Sequence, residues 1–256
     1  MKLDIAVLSR TGGRPTNEDA CGYWTSDAAA CWVLADGAGG HGAGDVAARC
    51  VVASVLRGFA SAPDSTPAAL SQLIAQANAD LLGAQHEARG QRDMRSTVTV
   101  LAVDRSGWRA SWAHVGDSRV YAFRGGRLRL QSRDHSVVQD LIDAGLGDPS
   151  MLRKHPQRSV LLAALGSAEA PRPELSAQPE RVVDGDVYML CSDGLWEYVE
   201  EAEMEDSLRR SESAQGWLEA LERGVLSRAR HGHDNYSAIA VWRSEEHTSE
   251  LQSPNT

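Results

Sequence analysis

The sequence predicts an α+β fold in which antiparallel β-sheets are flanked by helices. Strand-like segments rich in β-branched and aromatic residues cluster in the middle of the chain, at residues 96–104, 108–115 and 119–124. Helical patterns lie before and after this cluster and do not alternate with the strands one by one, which argues against a parallel βαβ fold. A chain of 256 residues suits one large domain or two small ones, and either can bury a substantial core.

The N-terminal part of the chain is predicted to supply three strands and two helices. Apolar and polar residues alternate over residues 3–8, and strand-like runs follow at 22–25 and 31–35. One apolar stripe predicts a helix over 44–59. Ser65-Thr-Pro67 predicts the start of a second helix, because a cap residue followed by proline in the first turn is typical of that position.

The C-terminal part mixes helices, strands and one irregular stretch. Arg124-Gly-Gly-Arg127 predicts a hairpin turn into a strand at 128–130. The remaining predicted elements are, in chain order, a helix over 135–144, an irregular stretch over 146–185, a strand over 186–191, helices over 201–210 and 214–229, and a strand over 236–242.

Composition and charge exclude several classes of protein. A net charge of −9 without a basic run argues against a nucleic-acid partner. No stretch approaches the roughly 18 apolar residues of a membrane span, and the N-terminal apolar run is too short for a signal peptide. The four cysteines form no C-x-x-C pair, which favours buried, reduced thiols. We therefore expect a cytoplasmic monomer with no membrane contact.

The sequence turns polar after Trp242. Residues 243–256 resemble the translation of a sequencing adapter, with a naturally disordered tail as the alternative. We expect this segment to be disordered and to lie outside the folded domain, which would then occupy residues 1–242.

Acidic residues recur at the ends of the predicted core strands. They are Asp36, Asp117, Asp193 and Asp234, with the pair Glu18-Asp19 between the first two strands. Each site alone is typical of a simple turn. Together they predict a functional site, because loops at strand ends are where a rigid scaffold presents functional groups.

Six carboxylates in one cleft would repel each other and their pKa values would rise, unless divalent cations offset the repulsion. Oxygen ligands without clustered histidine or cysteine favour Mg²⁺ or Mn²⁺ over zinc or copper. Two such ions about 3.5–4 Å apart can activate a water and neutralise a phosphoryl oxygen together. Hydrolysis of phosphate monoesters, which is very slow without a catalyst, needs such assistance.

Ordered motifs along residues 5–242 support this interpretation. They are Arg14-Pro-Thr-Asn-Glu-Asp-Ala20, Ala35-Asp-Gly-Ala-Gly-Gly-His41, Val115-Gly-Asp-Ser-Arg119, Arg133-Asp-His-Ser136, His155-Pro-Gln-Arg158, Cys191-Ser-Asp-Gly-Leu195 and Asp234-Asn235. In this order they resemble the motifs of the bacterial metal-dependent protein phosphatases of the PPM, or type 2C, family. The resemblance implies a four-layer α-β-β-α sandwich with two central antiparallel sheets. It also implies that a metal-activated water attacks phosphoserine or phosphothreonine directly, on protein substrates that include a serine/threonine kinase.

The resemblance assigns the metal ligands residue by residue. Asp36 would bridge two Mn²⁺ or Mg²⁺ ions, and the Gly37 carbonyl would bind one of them. Asp193 and Asp234 would complete the site of the other ion. Asp117, together with Asp193, would form a weaker third site.

The resemblance also assigns roles outside the ligand set. Glu18 and Asp19 would hold metal-bound waters, and Arg14 would bind the substrate phosphate. His41 would be the general acid for the leaving oxygen. A surface position for Arg14 and a structural hydrogen bond for His41 are the alternatives.

Three positions depart from the family's usual pattern. Ala38 stands where bacterial relatives often carry Met, Met94-Arg-Ser-Thr97 replaces a commoner Met-Gly-Thr-Thr, and Ala164 stands where an Arg often occurs. These positions are predicted at the rim of the cleft, so substrate preference is the property they put in doubt. A binding module for phosphoproteins without turnover and a hydrolase of small phosphoesters are the alternative functions.

Overall fold

The computed structural model describes residues 2–39, 43–87, 93–167 and 169–244. It confirms the predicted α+β sandwich, with two antiparallel sheets packed face to face and helices on both outer faces. The first sheet contains β1 (Lys2–Arg10), β7 (Arg119–Arg124), β8 (Arg127–Gln131), β11 (Val187–Cys191) and β12 (Tyr236–Ser244). Its strand order is β1-β12-β11-β7-β8.

The second sheet carries two of the predicted acidic residues, Asp19 and Asp36. Its strands are β2 (Asp19–Thr25), β3 (Ala29–Ala38), β4 (Arg95–Ser96), β5 (Val98–Asp104), β6 (Arg109–Val115), β9 (Glu174–Leu175) and β10 (Glu180–Arg181). The main path runs β10-β6-β5-β3-β2, while β4 pairs with β3 and β9 pairs with β6.

Three apolar layers hold the four structural layers together. Between the sheets, Trp32, Leu101 and Ile239 are fully buried. Helices α1 (Ala43–Ser61) and α2 (Pro67–Glu87) cover the second sheet through a core that includes Phe59 and Ile74. The first sheet is covered by α3 (Val137–Asp143), α4 (Met151–Lys154), α5 (Asp193–Trp196), α6 (Glu201–Leu208) and α7 (Ala214–Arg228).

The structure adds short elements where the sequence predicted irregular chain. Helix α4 and strands β9 and β10 all lie within 146–185. Strands of two residues carry no periodicity of their own, and these two exist because they pair with β6. Helix α5 was also missed, and it begins at Asp193, where a turn was the simpler interpretation.

The last strand extends two residues past its predicted end at Trp242. Arg243 pairs with Leu3 across β1, and its side chain is buried with the guanidinium 4.7 Å from the centre of the Trp108 ring. Its charge made Arg243 look like the start of the polar tail, but ring stacking lets a guanidinium lie against an apolar surface. Residues 245–256 of the predicted tail lie outside the described residues.

Two further predictions concern the membrane and the cysteines. None of the helices in the described ranges is both long and apolar enough to cross a bilayer. Cys31 and Cys191 are buried free thiols as predicted, whereas Cys21 and Cys50 are only partly buried.

Candidate active site

The predicted site residues converge on a cleft of about 430 Å³ at one end of the sandwich. Seven of the nine line this cleft: Arg14, Glu18, Asp36, Gly37, Asp117, Asp193 and Asp234. The eighth, Asp19, is buried behind the wall beside Asp36. The ninth, His41, lies outside the described residues.

Asp19 and Asp36 stand directly opposite each other on β2 and β3. Like charges at such positions destabilise a sheet. One oxygen of Asp19, Oδ2, accepts a hydrogen bond of 2.8 Å from the hydroxyl of Ser192, the residue that directly follows β11 of the other sheet. The other, Oδ1, is buried and has no partner within the described chain. Burial raises the pKa of Asp19 to about 6. In the metal-free protein, the ionised carboxylate of Asp19 therefore destabilises the folded state.

Asp36 is held by its backbone, which leaves its carboxylate free for the cleft. Its N–H donates to Thr97 Oγ1 at 2.9 Å, and its carbonyl accepts from the Thr97 N–H at 2.8 Å. Burial and the neighbouring carboxylates of Asp19 and Asp193 raise the pKa of Asp36 well above its ordinary range. Burial and Asp117 do the same to the pKa of Asp193.

The two Asp-Gly pairs require glycine because another backbone approaches each of them closely. A Cβ on Gly37 would lie 1.9 Å from the Gly44 carbonyl oxygen, and one on Gly194 would lie 2.0 Å from that of Asn235. The prediction that the strand before Asp36-Gly37 ends at Ala35 is wrong. Asp36 lies inside β3, which runs on to Ala38.

Asp117 is supported by a buried cation that sequence analysis did not single out. The Trp196 indole donates to the Asp117 carbonyl at 2.9 Å, and the Arg119 guanidinium lies 3.6 Å from the centre of that ring. Arg119 is fully buried and forms an ion pair of 2.7 Å with the buried Asp134. Burial raises the pKa of Asp117 to about 7.

Asn235 is a second residue whose role the sequence did not reveal. Its side-chain oxygen accepts from the Glu18 N–H at 2.8 Å, and its amide nitrogen donates to the carbonyls of Thr11 and Thr16. Asn235 therefore fixes the loop that carries Arg14. The available signal was its position directly after Asp234, at the start of the last strand.

Arg14 and Asp234 form an ion pair of 2.8 Å at the mouth of the cleft, and both side chains are about half exposed. Among the described residues, no three His, Cys, Asp or Glu side chains already stand close enough to coordinate one ion. The all-oxygen donor set, the opposed pair Asp19/Asp36 and the unpartnered Asp19 Oδ1 fit hard divalent cations and their waters.

A two-sheet sandwich that gathers carboxylates and an arginine at one end is characteristic of metal-dependent phosphatases. Residues 10–229 match the family model described as Protein phosphatase 2C, and the chain belongs to that family.

Individual relatives agree with the family assignment. The serine/threonine protein phosphatase PstP of Mycobacterium tuberculosis is 33% identical over 208 residues, which are 81% of this chain and 39% of that protein. The chain therefore spans well under half the length of this relative. A structure of the catalytic domain of PstP in complex with two manganese ions is 28% identical, with a TM-score of 0.78, and covers 95% of this chain and 99% of its own.

A second solved structure is that of PppA, a key regulatory component of the type VI secretion system in Pseudomonas aeruginosa. It is 33% identical with a TM-score of 0.76, and the match covers 94% of this chain and 98% of PppA.

Proposed function

We propose that this protein is a serine/threonine protein phosphatase that uses two Mn²⁺ or Mg²⁺ ions. The observation that carries the proposal is the meeting of carboxylates from both sheets in one cleft, with Asp19 and Asp36 directly opposite each other. An arrangement of this kind is unfavourable until cations bind, which is what a cation-dependent enzyme requires. The PstP catalytic domain, solved with two manganese ions, supports the number of ions and their kind.

The ligand assignment is the one that the family resemblance implies. We assign Asp36 as the bridging ligand, the Gly37 carbonyl to one cation, and Asp193 and Asp234 to the other. Asp117, on the same cleft wall, would serve a weaker third site with Asp193. When bound, the cations would lower the pKa of a water that attacks phosphorus and would neutralise charge on the phosphoryl oxygens.

The protein's other residues position the reactants. The planar fork of Arg14 can bind two phosphate oxygens at once, and its loop is fixed by Asn235. Glu18 and Asp19 can accept hydrogen bonds from waters, and Ser192 holds the Asp19 carboxylate in place. A general-acid role for His41 remains a prediction.

The biological setting is part of the same proposal. Phosphorylated proteins are the substrates, a serine/threonine kinase would be the antagonist, and the enzyme would act in signalling as a cytoplasmic monomer. The description of PppA as a regulatory component of a bacterial secretion system supports a regulatory setting.

Cation removal tests the central claim. Hydrolysis of p-nitrophenyl phosphate and of a phosphothreonine peptide is expected with Mn²⁺ or Mg²⁺ and is expected to fall to background in EDTA. Readdition of Mn²⁺ should restore both rates. Full activity after metal stripping would contradict the mechanism, and activity confined to free phosphorylated metabolites would favour a small-molecule hydrolase.

Replacing Arg14 by alanine is expected to raise KM for a phosphopeptide more than it lowers kcat, because it removes phosphate binding and leaves the nucleophile intact. Arg10→Ala is the matched control, because Arg10 is as exposed as Arg14 and is also ion-paired, at 2.8 Å with Glu222. Equal KM values for the two variants would show that Arg14 is a surface residue that does not bind the substrate phosphate.

A further inference from the structure

The cleft contains a second cationic side chain that the proposed mechanism does not use. Among the described residues lining it, Arg14 and Arg95 are the two that carry a positive charge. Arg14 lies between β1 and β2 and is ion-paired with Asp234, which belongs to the loop before β12. Arg95 comes from β4, where it pairs with Ala38 on the strand that carries Asp36. The two arginines therefore approach the cleft from different structural elements.

The Arg95 side chain is held in place by its partners, but they do not occupy all of its hydrogen-bond donors. Its Nη1 donates to the Gly166 carbonyl, and its Nη2 lies 3.6 Å from Asp93 Oδ1, which is too far for a hydrogen bond. Its side chain is 36% exposed. A guanidinium carries five N–H donors, so most of its donors remain available toward the cleft.

The chain next to Gly166 is hydrogen-bonded to the strand that carries Arg95. Leu165 exchanges two backbone hydrogen bonds, of 3.2 and 2.8 Å, with Ser96, the residue after Arg95. The neighbouring Ala164 lines the same cleft and presents only a methyl group there. The result is a positively charged position in the cleft, held by the Gly166 carbonyl and bordered by the small side chain of Ala164.

We propose that Arg95 forms a subsite for an anionic group on the substrate next to the phosphorylated residue, either a carboxylate or a second phosphate. This rests on the proposed function. The surrounding carboxylates repel anionic substrates in general, and a fixed guanidinium offsets that repulsion at one place. Arg95 is a specificity residue in this assignment, because it contacts the residue flanking the phosphate and not the reacting atoms.

The test compares phosphothreonine peptides that differ at one residue. Glu, Gln, Lys or phosphoserine is placed in turn at each of three positions on either side of the phosphothreonine, and kcat/KM is measured with Mn²⁺. At one position the wild type is expected to prefer Glu to Gln by about three- to tenfold, mainly through KM, as a partly exposed ion pair would give. The phosphoserine peptide separates phosphate from carboxylate as the better ligand.

Three variants make the assignment falsifiable. Arg95→Gln is expected to bring the Glu and Gln peptides within twofold of each other, and Arg95→Glu to favour the Lys peptide. Hydrolysis of p-nitrophenyl phosphate by Arg95→Gln within a few-fold of the wild-type rate would show that this variant folds and keeps its metal site. Arg57→Gln on α1, a 71% exposed arginine that also carries one ion pair, should keep the wild-type preference.

Different results would overturn the Arg95 subsite and the proposed phosphatase activity. An equal loss on all peptides and on p-nitrophenyl phosphate in Arg95→Gln would overturn the subsite, because Arg95 would then act at the scissile phosphate or in folding. Wild-type turnover of every peptide with no preference at any position would overturn the subsite alone. No turnover of any phosphopeptide would overturn the proposed function and the subsite together.

Discussion

If Asp36 is the bridging ligand that we propose, its replacement by asparagine is expected to reduce turnover by at least about a hundredfold. Such a ligand contributes several kcal/mol of transition-state stabilisation, and each 1.4 kcal/mol is about tenfold in rate. The metal-free variant is expected to be more stable than the metal-free wild type. Asparagine keeps the shape of the side chain but removes one charge from a cluster in which burial, Asp19 and Asp193 raise the pKa of Asp36. Loss of activity would then accompany a gain in stability, which separates a functional role from a structural one.

The same cluster predicts how pH affects the metal-free protein. Burial raises the pKa of Asp19 to about 6 and of Asp117 to about 7, above the value of an unfolded aspartate near 3.9. A raised carboxyl pKa stabilises the folded state below the unfolded value, and that stability is lost as pH rises through the folded value. The melting temperature in EDTA should therefore fall between pH 5 and pH 7.5, and less steeply in Asp36→Asn.

Calorimetry and kinetics on matched variants check both statements. Asp27→Asn, in the exposed turn between β2 and β3, removes the same charge outside the cleft and should change neither rate nor melting temperature. Mn²⁺ should raise the melting temperature of the wild type and of Asp27→Asn far more than that of Asp36→Asn. An Asp36→Asn protein that is less stable in EDTA than the wild type would show that the carboxylate is a structural residue.

Local patterns were sufficient to predict most of the fold. Alternation and apolar stripes are properties of neighbouring residues, so they located β5, β6 and α1 to within a few positions. The cap and proline at Ser65-Thr-Pro67 located the start of α2. The acidic residues were found because they follow apolar strands and occur in a recognisable order. The short elements α4, β9 and β10 were missed because partners far away in the sequence create them.

The parts of the site that escaped prediction depend on contacts between distant segments. The Asn235 side chain accepts a hydrogen bond from the N–H of Glu18, which is 217 positions away in the sequence. Asp19 and Asp36 face each other only because of the register in which β2 and β3 pair. The contact of Trp196 with the Asp117 carbonyl links α5 to the loop before β7. A sequence can name the residues of such a site, but only the pairing of strands fixes which carboxylates face each other.

Replacing Arg119 by methionine is expected to destabilise the protein by about 3–5 kcal/mol, the range found when one partner of a buried ion pair is removed. Arg119 and Asp134 are both buried, and two hydrogen bonds of 2.7 and 2.8 Å join them. Without the guanidinium, Asp134 is a buried carboxylate with no countercharge. Urea unfolding in EDTA measures this loss apart from any effect on cation binding.

Arg133→Met is the control for this variant. Arg133 and Asp140 form an ion pair of 2.8 Å, but their side chains are 44% and 58% exposed, so water can replace the guanidinium. Its loss should cost about 1 kcal/mol or less, as for exposed pairs. Equal destabilisation by the two variants would mean that burial is not what makes the Arg119 pair important.

A double variant distinguishes the lost charge balance from lost packing. Arg119→Met combined with Asp134→Leu removes both charges and is expected to recover a large part of the stability, because no buried charge is left unpaired. The turnover rate, kcat, should not recover together with the stability.

Trp196 stacks on the Arg119 guanidinium while it donates to the Asp117 carbonyl, so the double variant loses a contact that positions Asp117. A double variant with restored stability and a kcat still several-fold below wild type would assign Arg119 a positioning role. Full recovery of kcat would show that Arg119 contributes to stability and does not position Asp117.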